Sequence, residues 1–101
     1  ILPVENPGPT RCDALQTLLI ADITFETLSH HGARGVAVSE EEAARAVAFA
    51  FRELKLVVEP GGAVALAAAL SGRVDLRGRT AVVVLSGGNV DAATFAECLA
   101  V

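Results

Sequence analysis

The sequence contains no methionine, tryptophan or tyrosine, and its aromatic residues are four phenylalanines. Any core must therefore be assembled from Ala, Val and Leu. Charge is scarce too, at 20% of residues, and twelve acidic side chains outnumber eight basic ones for a net −4. With no basic footprint, nucleic acid and anionic membrane are excluded as expected partners. No apolar run reaches the roughly 18–20 residues that cross a bilayer, and no basic-then-apolar leader opens the chain. Only two cysteines occur, Cys12 and Cys98, with neither metal nor redox spacing. They read as free thiols of a reducing cytosol, filling small apolar gaps. His30 and His31 lack a third ligand at metal spacing, so no metal site is expected.

What is present is apolar. Hydrophobic residues make up 52% of 101 residues, enough to exclude disorder in a chain the size of one small domain or part of a larger one. Small domains leave much of their surface exposed, so this composition is unusual. It predicts that apolar surface packs on something else, either a missing domain half or a second copy of the chain. The start at Ile1, with no initiator methionine, reads as a cut from a longer polypeptide.

Residues 1–11 hold Pro3, Pro7, Gly8 and Pro9 and predict an irregular segment. Asp13 to Ser29 predicts short helical pieces, broken at His30-His31-Gly32. Gly35 to Val38 predicts a short strand. Ser39 followed by Glu42 forms a capping-box signature, and Ala43, Val47, Ala50, Phe51 and Leu54 continue it at helical spacing until Lys55, the one lysine. Leu56 to Val58 reads as an extended link into Glu59-Pro60-Gly61-Gly62. Ala63 to Ser71 is apolar on every face, which predicts a helix buried all round. Thr80 to Leu85 is a β-branched run without alternation, the pattern of a parallel strand covered on both faces. Asp91 starts a final helix. The order strand, helix, helix, strand, helix gives an α/β fold class, with parallel strands flanked by helices.

In such folds ligands bind where strands lead into helices. Two junctions qualify: Glu59-Pro60-Gly61-Gly62 and Ser86-Gly87-Gly88-Asn89. Glycine there admits close approach of backbone to a ligand, and the following helix start carries partial positive charge. Each residue also has a plain role. Gly87-Gly88 serves as a tight turn, Glu59 as a carboxylate favoured by a helix start, and Asn89 or Asp91 as a helix cap.

Three segments resemble one family. Leu56-Val57-Val58-Glu59-Pro60-Gly61-Gly62-Ala63-Val64-Ala65-Leu66-Ala67-Ala68 and Val82-Val83-Val84-Leu85-Ser86-Gly87-Gly88-Asn89-Val90-Asp91 are similar to stretches near the end of the catalytic domain in threonine dehydratases and serine racemases. Thr10-Arg11-Cys12-Asp13-Ala14 is similar to a third, usually Thr-Ile-Ala-Asp-Gly. These are fold-type II, tryptophan-synthase-β-like pyridoxal-phosphate enzymes.

The resemblance implies that Ser86 faces the pyridine nitrogen of the cofactor. It implies that Glu59 lies beside the ring, and that Gly87 and Gly88 let the ring edge approach backbone. Asn89 would shape that turn. Ala14 stands where the family often has a ring-contacting glycine, a departure. A neutral hydroxyl at Ser86 leaves the ring a tempered electron sink, suited to β-elimination from serine or threonine.

The Schiff-base lysine and the glycine-rich phosphate loop of the family match nothing in this chain, and Lys55 does not align with that lysine. No catalytic residue is therefore assigned here. The expectation is the C-terminal portion of a cytoplasmic dehydratase, inactive alone, partnered by its missing part or by another copy. Two other readings stay open: a non-catalytic oligomerising module, and a nucleotide- or phosphate-binding domain using Gly87-Gly88.

Overall fold

Ser39 opens the most regular part of the molecule. In the computed structural model, which describes residues 1–101, its hydroxyl accepts from the Glu42 N–H at 3.1 Å. The Glu42 carboxylate in turn accepts from the Ser39 N–H at 2.8 Å, so the predicted capping box is complete. That N–H, with the Arg73 guanidinium, holds the Glu42 carboxyl below its ordinary range. Ser39→Ala is expected to cost about 1 kcal/mol of unfolding free energy, read from urea denaturation. An unchanged midpoint would contradict a working cap.

The helix so started, α2 (Glu40–Phe49), buries Ala43, Ala44, Ala46, Val47 and Ala48. Alanines on the inner face let neighbouring helices come close. α3 (Val64–Leu70) and α4 (Ala92–Leu99) both pack against α2. Their shared core adds Val58, Ala63, Leu66, Ala67 and Cys98. Phe51 and Phe95 meet edge to face at 5.3 Å. Both cysteines are free and buried, and burial pushes each thiol up from its ordinary value.

The second helix runs to Leu54 and stops at Lys55, as its spacing predicts. Its last turn, Ala50–Leu54, widens into a π-turn, and Lys55 has a left-handed φ of 61°. Lys55 Nζ donates to the Arg52 carbonyl at 2.6 Å, satisfying one of the orphan acceptors of a helix end.

α3 is not buried all round. A 3-10 turn, Gly61–Ala63, leads into it, and only Leu66 and Ala67 are buried within the helix; Ala65 and Leu70 face solvent.

The parallel strands do not form. Residues 35–38 and 80–86 make no backbone hydrogen bonds, and no two segments pair as a ladder. A strand needs a neighbour to accept and donate along its length, and this chain supplies none to either segment. Val83 and Leu85 still pack on the helical core, while Val82 is 90% exposed and Val84 68%. One face of the β-branched run is covered and the other is open.

The leading segment and α1 (Asp22–His30) lie outside the core. α1 buries none of its residues and packs on no other helix, as the short helical pieces of the sequence allowed. A short 3-10 turn, Asp13–Leu15, precedes it. The result is a slab of 37 × 37 × 18 Å. Its accessible surface is 7250 Å², whereas a folded monomer of this mass exposes about 5,400 Å². No helix is long and apolar enough to cross a membrane.

Candidate functional site

The two junctions singled out in the sequence meet. The Glu59 N–H donates to the Gly87 carbonyl at 3.0 Å, the one backbone bond that joins them. Pro60 then sets helical dihedrals, with φ −55°, and starts the turn into α3. On the other side Asp91 caps α4: its Oδ1 accepts from the Thr94 N–H at 2.9 Å and its Oδ2 from the Thr94 hydroxyl at 2.7 Å. The Thr94 N–H keeps the Asp91 carboxyl below its ordinary value. Of the two cap candidates, Asp91 is the one used.

Close approach explains the glycines. A Cβ at Gly62 would lie 2.8 Å from the Gly87 carbonyl oxygen and 2.9 Å from the Gly87 nitrogen. One at Gly88 would lie 2.6 Å from the Val57 oxygen, and one at Gly87 would overlap the Glu59 carboxylate. Gly62 and Gly88 are therefore required by backbone meeting backbone, whatever ligand lies beyond, whereas at Gly87 only the flexible end of the Glu59 side chain stands in the way. The sequence places Gly62 in a junction where glycine lets backbone approach a ligand. Its collision with Gly87 is a long-range demand that local pattern does not carry.

Ala14 also arrives here, 3.5 Å from where a Gly61 Cβ would stand. Glu59 is half-buried, while Ser86 and Asn89 are exposed. A polar cavity of about 260 Å³ is lined by Glu59 and Asn89 with Thr10, Arg11, Asp13 and Asp91. Ser86, Gly87, Gly88 and Ala14 do not line it. Glu59 and Ser86 thus sit on adjoining backbone, but no enclosed cavity holds both.

A clamp missed in the sequence fixes the leading segment to this site. The Thr10 hydroxyl and the Arg11 N–H, the latter at 2.9 Å, both donate to the Glu40 carboxylate. Arg11 Nε also reaches Glu97 at 3.3 Å. The Thr10 hydroxyl, then the Arg11 N–H, hold the Glu40 carboxyl below its ordinary 4.5. Because the folded value is lowered, this tie is complete above the ordinary value and is lost as pH falls through the folded one. The amide shift of Arg11 is expected to titrate with a midpoint below 4.5 and to stop titrating in Glu40→Gln. A midpoint at or above 4.5 would contradict the clamp.

Residues 2–87 match the family model described as pyridoxal-phosphate dependent enzyme. The chain is 40% identical over 83 residues to an L-threonine ammonia-lyase of Thermotoga maritima, covering 82% of this chain and 20% of that protein. It is 37% identical over 103 residues to a phenylserine dehydratase of Ralstonia pickettii, covering 94% and 32%. The crystal structure of a threonine deaminase from T.th. superposes with a TM-score of 0.77 at 40% identity, covering 90% of this chain and 33% of that one. The chain therefore spans about a fifth to a third of the length of these relatives. Their cofactor is pyridoxal phosphate. By that family match the chain belongs to the pyridoxal-phosphate dependent enzymes.

Proposed function

We propose that this chain is the C-terminal part of the catalytic domain of a cytoplasmic ammonia-lyase that eliminates water from threonine or serine. A 2-oxo acid and ammonia are the products. The reading rests on one observation: Glu59 and the Ser86–Gly88 turn, far apart in sequence, are joined by the bond from Glu59 N–H to Gly87 O. The donor set fits the cofactor. A neutral hydroxyl can donate to a pyridine nitrogen without protonating it, and a half-buried carboxylate can accept from the amine side of the ring. When bound, pyridoxal phosphate supplies an electron sink for the charge left by the departing α-proton.

In this reading Ser86 holds the ring nitrogen through its hydroxyl. Glu59 lies beside the ring and would polarise its imine side. Gly87 and Gly88 hold the turn against Glu59 and Val57, and Asn89 shapes it where α4 begins. Ala14 closes over Gly61 in place of the family glycine. The catalytic base and the phosphate anchor come from outside residues 1–101, so the chain alone is inactive. The open faces of Val82, Val84 and α1 are the surfaces that the rest of the domain, or a second copy, would cover. The whole chain exposes roughly 1,800 Å² more than a closed monomer of its mass, about twice the ~800 Å² that one partner contributes to a standard interface.

A graft tests this. Residues 1–101 replace the matching stretch of the Thermotoga maritima enzyme, and the chimera is assayed with threonine and with serine. Ammonia and 2-oxo acid are expected from the chimera, and none from the 101-residue chain with added cofactor. A chimera that binds the cofactor but releases no ammonia from either amino acid would overturn the proposal.

A further inference from the structure

Four of the eight cationic side chains, Arg34, Arg73, Arg77 and Arg79, gather around the loops at 34–36 and 73–80, in a chain of net charge −4. Arg34, Arg73 and Arg79 line one cavity of about 710 Å³ together with Thr80 and Asp75. The two acidic groups nearby are already paired. Asp75 accepts from the Arg77 guanidinium at 2.9 Å through each oxygen and from the Arg77 N–H at 3.1 Å, and Arg77 does not line this cavity. Glu42 takes Arg73 at 3.0 Å.

The chain's four ion pairs use Arg11, Arg45, Arg73 and Arg77. Arg34 and Arg79 therefore have no carboxylate partner, although they share a cavity. Two unpaired guanidiniums around a common space, each a planar fork of donors, match an oxyanion with several acceptor oxygens. The loop that carries them is built. Gly72 and Gly78 take left-handed φ of 74° and 69°, and the Arg79 N–H returns to the Leu76 carbonyl at 3.0 Å.

We propose that this cavity binds a small multivalent oxyanion, held by Arg34 and Arg79 with Arg73 and the Thr80 hydroxyl beside them. The site is separate from the junction at Glu59 and Ser86: no residue lines both this cavity and the one at Glu59. It does not depend on the function proposed above.

Calorimetric titration of the 101-residue chain with pyrophosphate, and separately with citrate, tests the site and distinguishes a phosphoryl from a carboxylate ligand. Saturable one-to-one binding of at least one of them is expected, weakening as chloride is raised. Arg34→Ala and Arg79→Ala should each weaken it about tenfold or more. Arg45→Ala, which removes an exposed cation paired with Glu41, should leave it unchanged. Circular dichroism of each variant checks that the fold survives, and Arg79→Lys guards against a folding defect by keeping the charge while losing the fork. Binding of neither anion, or equal weakening by Arg45→Ala, would overturn the proposal.

Discussion

Gly62→Ala is expected to cost about 1–3 kcal/mol of unfolding free energy and to shift the urea midpoint down accordingly. The added methyl would stand 2.8 and 2.9 Å from backbone atoms of Gly87, which no rotamer change can relieve. Either the Glu59 turn or the Ser86 turn must move, and the bond from Glu59 N–H to Gly87 O goes with it. In a thin slab with 15 buried residues, that loss is a large share of the total. Gly35→Ala provides the comparison, since nothing lies within 4 Å of its Cβ position and its φ is not left-handed. It should be neutral or slightly stabilising. Equal midpoints for the two variants would mean that the junctions do not press together.

Ser86→Ala is expected to act on chemistry and not on the fold. Ser86 is exposed and its backbone makes no hydrogen bonds, so its loss should leave the urea midpoint of the chain unchanged. In the cofactor-loaded chimera the same change should lower the rate of ammonia release by roughly 10- to 100-fold, the worth of one hydrogen bond to a buried partner group. Ser86→Thr keeps the hydroxyl and should recover much of it. An unchanged rate in Ser86→Ala would remove Ser86 from the proposed role.

The helix starts were legible because their signals are local. Ser39 with Glu42, and Asp91 three residues before Thr94, specify caps within one turn, and both caps form. The end of α2 was less legible: the π-turn and the left-handed Lys55 depend on how the chain must turn back, which periodicity does not encode. The strand expectations failed for a different reason. A β-branched run states a preference for a sheet, but the ladder belongs to a pair of segments, and Thr80 to Leu85 finds no partner here.

Of the site, Glu59, Gly87 and Gly88 could be named from sequence because two motif segments carry them. Their meeting could not be, since the contact spans unrelated parts of the chain. The Glu40 clamp and the Arg34–Arg79 cavity carried no motif at all. They arise from loops that the fold alone brings together.

In the proposed enzyme the Glu59 and Ser86 junctions jointly face the cofactor ring. A crystal structure of the chimera with pyridoxal phosphate bound tests it most directly. The Ser86 hydroxyl is expected about 2.7–3.0 Å from the ring nitrogen, with Glu59 on the same ring and its N–H still bonded to Gly87. A ring nitrogen facing any other side chain, or Glu59 and Ser86 facing away from each other, would contradict it.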